Sequence, residues 1–260
     1  AWSADDDLAV YTRKTKTKYI YNSTDDVFKR ASSNVGPSLN TNYYAVHPYT
    51  VAAQSISEDG EVAVDMLLKQ NYAVNSFGLN ANVMVSSCPK PESASDTPIE
   101  LSFKNLGGYL RLFLYGEDVV VKSIELRGNN DEILSGSANV KIEQDAAPEI
   151  TWVSTSAQPI ILNCGDGVEI GTSAADATAF WFVVPPTSFE KGFKVRITDV
   201  DGRVMQKSLD SAFEIARNTV ETMEPLAVEF PEVDTSLLLD VKFNEDGTVS
   251  DNGKYFMEVT

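Results

Sequence analysis

The feature that most constrains the fold of this chain is an alternation of apolar and polar residues that recurs from one end to the other. It is most regular in GYLRLFLY (residues 108–115) and in VVVKSIELRG (residues 119–128). Because successive side chains of a β-strand point to opposite faces, this period-two pattern predicts strands that each bury one face. Segments with helical periodicity are scarce, so the chain is predicted to be all-β.

The same pattern lies on both sides of a proline-rich stretch. The predicted strands before that stretch are Leu8–Thr12, Lys18–Tyr21, Tyr43–His47, Val62–Asp65 and Asn82–Ser86. Those after it are Glu100–Phe103, Tyr109–Tyr115, Val119–Arg127, Ala138–Glu143, Ile160–Leu162, Ala179–Val184, Phe193–Thr198 and Val204–Ser208. Many short strands separated by turn signals are typical of β-sandwiches.

Turn residues separate several of these strands. EDGE (residues 58–61) contains an Asp-Gly pair, which favours a tight hairpin with positive φ at both central residues. GNNDE (128–132) and DVDGR (199–203) are predicted hairpin turns as well. The pair Pro185 and Pro186 is expected to end a strand, because proline has no backbone N–H for the ladder.

The proline-rich stretch CPKPESASDTP (88–98) has three prolines and no periodicity, so it is predicted to connect domains. A chain of 260 residues has room for two domains of ordinary size. We therefore predict two tandem sandwich domains, residues 1–88 and 99–230, joined by a linker at residues 89–98. Residues 231–260 form a tail that is too short to bury a core of its own.

Composition narrows the classes of partner. A formal net charge of −17 argues against nucleic acid and anionic membrane surfaces, because both repel an acidic protein. No apolar run approaches the roughly 18 residues of a membrane-spanning helix.

Two cysteines, Cys88 and Cys164, are too few for a disulfide scaffold and lack the spacing of a zinc site. We expect two free thiols, with a bridge between the two halves of the chain as the alternative.

Residues that could carry chemistry are few and isolated. His47 is the sole histidine and has no nucleophile motif near it, so we expect it to be structural. No nucleophile elbow, metalloprotease, phosphate-loop or dinucleotide motif occurs. A hydrolase would need two carboxylates converging in a cleft, and the sequence singles out no such pair. The chain is therefore predicted to be non-enzymatic, with no catalytic, cofactor or metal residue.

Two acidic clusters could offer oxygen ligands to calcium. Asp5–Asp7 is more simply read as a solvated, charged turn. DVDG (199–202) resembles the opening of a calcium loop, but the following segment alternates like a strand and the bidentate glutamate is missing. A plain hairpin is therefore favoured at residues 199–203.

Exposed aromatic side chains could form a platform for a sugar. Of Trp2, Trp152 and Trp181, the last lies in the apolar run AFWFVV and is expected in a core. Trp152 lies between predicted strands, so core or inter-domain packing is favoured for it, and it is the candidate ligand platform as the alternative.

Several segments together resemble the fimbrillin-like proteins of Bacteroidales bacteria, an outer-surface pilin superfamily. AWSADDDLAVYT (1–12) is similar to the opening of that family, and NYYAVHPYT (42–50) to a motif that follows it. The second half carries LSFKNLGGYLRLFL (101–114), VKSIELRGNNDEILSG (121–136), ILNCGDGVEI (161–170), FWFVVPPTSFEKGFKVRITDVDGRVMQKS (180–208) and IARNTVETMEPL (215–226).

This resemblance implies two tandem transthyretin-like sandwich domains in an exported lipoprotein of the outer membrane. It implies a subunit of a fimbria, or an adhesin, whose partners are other pilin subunits or a second copy of itself. In such proteins a protease removes the first strand, and a strand of the next subunit fills the groove. The lipidated cysteine and the cleaved strand would precede Ala1.

The tail has two interpretations. LLLDVKFNEDGTVSDNGKYFMEVT (237–260) resembles the first strands of a jelly roll of the laminin-G or concanavalin-A type. Alternatively, it is the donor strand itself. If a jelly roll followed, the protein would be a surface glycan-binding accessory protein, which is the alternative function; a host or glycan ligand is compatible with either.

Overall fold

The computed structural model describes residues 2–4, 6–32, 41–92, 98–153 and 155–231. As predicted, the protein is all-β: the described residues contain no α-helix, only the short 3-10 turns Tyr49–Val51 and Ala174–Asp176. None of their helical segments is long and apolar enough to cross a membrane. The strands are β1 (Asp7–Tyr11), β2 (Thr17–Asn22), β3 (Val27–Arg30), β4 (Asn42–His47), β5 (Ala52–Ile56), β6 (Glu61–Met66), β7 (Lys69–Ala73), β8 (Ser76–Phe77), β9 (Met84–Pro89), β10 (Lys104–Asn105), β11 (Gly108–Tyr115), β12 (Val120–Gly128), β13 (Gly136–Lys141), β14 (Glu149–Trp152), β15 (Ile160–Glu169), β16 (Thr178–Val184), β17 (Thr187–Phe189), β18 (Phe193–Asp199), β19 (Val204–Leu209), β20 (Phe213–Ile215), β21 (Val220–Thr222) and β22 (Leu226–Ala227).

These strands form four main sheets. Sheet 1 has the order β10-β9-β4-β1-β2-β3, and sheet 2 has the order β14-β13-β6-β5. Sheet 3 has the order β19-β18-β12-β15-β7-β8, and sheet 4 has the order β16-β11-β21, with β22 also paired to β11. A separate pair is formed by β17 and β20.

Sheets 1 and 2 pack face to face as the first sandwich. Their shared core contains Tyr11 and Val46 from sheet 1 together with Val64 and Val140 from sheet 2. These side chains occupy alternate positions of their strands, so the period-two pattern does place one face of each sheet in a core. The Tyr11 hydroxyl, buried in this core, donates to the Ala53 carbonyl.

Sheets 3 and 4 form the second sandwich. Alternate residues of β11 and β12, such as Leu110 and Ile124, are fully buried. The two sheets meet where the Tyr72 ring lies 5.2 Å from the ring of Phe180. Fully buried aromatic residues of β16 dominate this core, and each contributes a large apolar area.

Membership of the sheets does not follow the boundary predicted at residues 89–98. Strand β6 pairs with β13, from Met66 with Gly136 to Glu61 with Lys141, and β7 runs parallel to β15. The chain therefore passes back and forth between the sandwiches, and residues 1–229 form one compact unit. Alternation marks which residues face a core but not which strands pair, because pairing is fixed by non-local burial. The predicted linker begins inside β9, and the tail prediction lies outside the described residues beyond Pro231.

The structure confirms some of the predicted turns and not others. DVDGR joins β18 to β19 as a hairpin, as predicted. EDGE joins β5 to β6, but only Gly60 of the Asp-Gly pair has positive φ (84°), because the loop is longer than two residues. GNNDE is not a hairpin: it leads from β12 in sheet 3 to β13 in sheet 2.

Candidate functional site

The outer face of sheet 1, opposite the sandwich core, is also apolar. Leu8, Val10 and Ala45 form a buried cluster on this face. No second sheet covers them in the part of the chain that the structure describes. They are covered by half-buried side chains, among them Trp2, Tyr19, Phe28, Leu101 and Phe103.

The cover includes residues 98–103, where Glu100–Phe103 was predicted to be a strand. That prediction is wrong: this segment is outside every ladder until Lys104. Leu101 and Phe103 face the sheet while Glu100 and Ser102 are exposed, so the alternation is present without the pairing. Extended chain lying over a sheet face produces the same sequence pattern as a strand within a sheet.

A groove of about 700 Å³ remains on this face. The Trp2 ring stands edge-on to Phe28 and Phe103 at centroid distances of 4.9 and 5.4 Å. The groove is lined by Trp2, Leu8, Val10, Thr12, Tyr19, Asp26, Val27, Phe28, Tyr43, Pro98, Ile99, Glu100, Leu101, Ser102 and Phe103. Its lining is mostly apolar, with the acidic groups Asp26 and Glu100.

The groove adjoins an edge of sheet 1. Among the described strands, β3 has β2 as its one neighbour. Tyr21, which lies opposite Phe28, donates its N–H to the Asp6 carbonyl on the β1 side at 3.0 Å. In an antiparallel ladder, Phe28 therefore directs its own N–H and C=O away from β2. The Tyr21 hydroxyl donates to the Asp26 carboxylate at 2.5 Å, and this hydrogen bond raises the pKa of Tyr21.

Chemically, the site offers main-chain groups of β3 that pair with no other described strand, beside an apolar groove. An extended peptide could pair with the β3 edge and place alternate side chains in the groove. The sequence did not predict this arrangement, because it depends on residues 98–103 covering only part of the face. The alternating apolar residues of LSF (101–103) are the signal that could have found it.

His47 lies near the groove but has a structural environment. Its side chain is only 6% exposed, and its ring is 5.2 Å from the Trp2 ring. Nδ1 lies 2.9 Å from the Asp7 carbonyl oxygen. His47 is therefore enclosed by protein groups, as a structural histidine is expected to be.

The acidic turn at the chain start is occupied by protein groups. Asp6 accepts a hydrogen bond from the Ser3 N–H at 2.6 Å, and Asp7 pairs with Lys18 at 2.8 Å. A second oxygen of Asp7 accepts from the Tyr49 N–H at 2.9 Å. Asp5 lies outside the described residues.

The predicted hairpin at residues 199–203 is held by a buried carboxylate. Asp199 is 2% exposed and accepts from the N–H groups of Asp201 and Arg203 at 3.0 and 2.7 Å. Arg203 Nε completes the set at 2.6 Å. Within the described ranges, no three His, Cys, Asp or Glu side chains are grouped so as to hold a metal ion.

The two remaining tryptophans lie in different sandwiches. Trp152, the candidate platform, is half-buried on edge strand β14 and packs against the core of the first sandwich. Trp181 was expected in a core, but it points outward from sheet 4 and is half-buried against Tyr109 and Val183. Its neighbours Phe180 and Phe182 face the core between sheets 3 and 4, whereas Trp181 packs on the small buried cluster of the opposite face.

The cysteines are both free, as expected. Cys88 is half-buried in β9 and Cys164 is buried in β15, in different sandwiches. Burial raises the pKa of the Cys164 thiol to about 12.

Comparison with known proteins finds similarity in fold only. No protein-family model matches the chain, and no curated protein matches it significantly in sequence. The fold is similar to crystal structures of two candidate cell adhesion proteins. The structure of the protein from Bacteroides ovatus ATCC 8483 aligns with a TM-score of 0.55 at 10% sequence identity. The alignment covers 87% of this chain and 83% of the Bacteroides ovatus chain. The structure of the protein from Bacteroides uniformis ATCC 8492 aligns with a TM-score of 0.52 at 12% sequence identity. The alignment covers 87% of this chain and 88% of the Bacteroides uniformis chain. The protein is therefore an all-β sandwich protein with several sheets. It shares the fold of these two crystal structures.

Proposed function

We propose that this protein is a non-enzymatic, cell-surface adhesin subunit that attaches to another chain by accepting an extended strand on sheet 1. The observation that carries the proposal is the apolar groove of about 700 Å³ beside the edge strand β3. Strand addition of this kind takes its affinity from main-chain hydrogen bonds and its specificity from alternate side-chain pockets. The fold shared with two candidate cell adhesion proteins supports the adhesive role.

We propose that the donor is the tail of a second copy, residues 237–243 (LLLDVKF). In an extended conformation, Leu237, Leu239, Val241 and Phe243 would share one face, and Leu238, Asp240 and Lys242 the other. This is the alternation that a groove between an open edge and an apolar floor requires. Each fully buried side chain of this kind contributes about 1.5–3 kcal/mol.

Location at the outer membrane through a lipid anchor, within a fimbria, belongs to the same proposal. It rests on the sequence resemblance to the fimbrillin-like proteins and on the fold. The acidic net charge of −17 suits a solvated surface and disfavours nucleic acid as a partner.

The test adds a synthetic peptide of residues 235–245 to the full chain and measures the melting temperature. At a peptide concentration a hundredfold above its Kd, binding should raise Tm by about 5–10 °C. A peptide with Leu239→Asp and Val241→Asp should have no effect, whereas the matched control with Asp240→Asn and Lys242→Gln should act like the parent.

A groove variant provides the reciprocal control. Phe28→Ser removes a ring from the groove rim and should abolish the gain in Tm given by the parent peptide. If the parent peptide gives no gain, or if all three peptides act alike, strand acceptance at this groove is wrong.

A further inference from the structure

The outer face of sheet 4 carries a cluster of cationic and aromatic side chains that the proposed function does not use. Arg111 on β11 lies opposite Trp181 on one side and Thr222 on the other, so the three form one row across the sheet. Phe113 occupies the next outward position of β11, and Val220 on β21 is 48% exposed. We call Arg111, Phe113, Trp181 and Thr222 the Arg111 platform.

Arg111 is held in place by its neighbours on the platform. Its guanidinium carbon lies 5.1 Å from the ring centroids of both Phe113 and Trp181. Nε and Nη2 donate to the Thr222 hydroxyl oxygen at 3.2 and 3.0 Å. A guanidinium held between aromatic rings and a hydroxyl loses little conformational entropy when it binds a ligand.

No described carboxylate neutralises the Arg111 guanidinium. The chain has 38 acidic and 21 basic residues, and the described ion pairs include Arg127 with Glu125 and Arg203 with Asp199. None of the ion pairs among the described residues involves Arg111. A guanidinium has five N–H donors, so Arg111 can hold Thr222 and still present donors to a carboxylate.

The size of the platform limits the ligand. Two outward positions along three strands cover about 7 Å by 10 Å, which is the size of one sugar ring. A stable protein interface needs about 800 Å² on each partner, which is much more than this area. Trp181 Nε1 is a buried donor without a hydrogen-bond partner among the described residues, so the indole offers a ligand its carbon surface and not its N–H.

From these observations we propose that the Arg111 platform binds a carboxylated sugar, such as a sialic or uronic acid residue of a glycan. The sugar carboxylate accepts hydrogen bonds from the Arg111 guanidinium. The apolar C–H face of the sugar packs against the accessible parts of Trp181 and Phe113. This site is independent of the groove on sheet 1.

The test measures binding of sialyllactose and lactose to the full chain by calorimetry and ligand-observed NMR. The two sugars differ by one carboxylated residue, so sialyllactose should bind at least about tenfold more tightly, which corresponds to about 1.4 kcal/mol. Arg111→Gln should remove this preference. Arg196→Gln, which changes the charge equally on an exposed position of β18, should keep it.

Two readouts keep the test decisive. Arg111→Gln should melt within about 2 °C of the parent, so a loss of binding cannot be assigned to unfolding. Equal binding of the two sugars, absence of sialyllactose binding, or retention of binding by Arg111→Gln overturns the proposal. Self-association that Arg111→Gln abolishes, without sugar binding, identifies the face as a protein interface and also overturns it.

Discussion

The side chain of Gln70 completes the hydrogen bonding of Val183 at the edge of sheet 4. Gln70 Nε2 donates to the Val183 carbonyl at 2.7 Å, and Gln70 Oε1 accepts from the Val183 N–H at 2.9 Å. Both residues are buried, at 3% and 2% exposure. Val183 directs these groups away from β11, so one amide side chain from sheet 3 takes the place of a neighbouring strand.

Replacing Gln70 should therefore destabilise the second sandwich. Gln70→Leu would leave the buried N–H and C=O of Val183 unpaired, which we expect to lower the free energy of unfolding by about 2–4 kcal/mol. Urea unfolding measures this change. Gln206→Leu, on the exposed strand β19, is the matched control and should stay within about 0.5 kcal/mol of the parent. Equal stabilities of the two variants would contradict the role given to Gln70.

The hairpin at residues 199–203 should depend on its first aspartate and not on calcium. Asp199→Ala removes a buried carboxylate that accepts from two N–H groups and from Arg203, so we expect a loss of about 2–4 kcal/mol. Asp201→Ala is the control in the same turn, because the Asp201 side chain is 74% exposed. Adding millimolar calcium should leave Tm unchanged. A calcium-dependent rise in Tm that Asp199→Ala removes would show a metal loop instead.

The contrast between β11 and β7 shows what the sequence could reveal. The predicted strand Tyr109–Tyr115 matches β11 within one residue, because Leu110, Leu112 and Leu114 alternate with half-buried residues along one buried face. Strand β7 has the sequence KQNYA and went unpredicted, since the residue it buries is Gln70 and its partner β15 runs parallel to it. A buried glutamine gives no hydrophobic period, so no pattern marked this strand.

The candidate sites were predicted less well than the strands, for a related reason. Leu101 and Phe103 alternate as predicted, but sequence periodicity does not distinguish a chain within a sheet from one that lies over it. Arg111 meets Trp181 through the register of two strands that are far apart in sequence. Register depends on tertiary packing, so the Arg111 platform could not be assembled from the sequence alone.

Stability should decrease at alkaline pH. Burial raises the pKa of Cys164 to about 12 and also raises the pKa of the buried Tyr11 hydroxyl. Unfolded chains ionise these groups near about 8.5 and 10, so their contribution to stability is complete below those values and declines as pH rises above them. Urea midpoints measured from pH 7 to pH 11 should fall above about pH 9. Cys164→Ala should make the fall less steep, and a slope unchanged by that substitution would contradict the assignment.

Trp152 and Trp181 can be separated by pairing a stability measurement with a sugar-binding measurement. Trp152 packs against the core of the first sandwich, so Trp152→Ala should lower the free energy of unfolding by about 2–3 kcal/mol, less than the ~3–5 of a fully buried tryptophan. It should leave sialyllactose binding unchanged. Trp181→Ala should weaken sialyllactose binding about tenfold, because Arg111 loses one of the rings that position it. Should Trp152→Ala abolish binding in a chain that still melts cooperatively, the sugar platform would lie at Trp152, as the sequence first suggested.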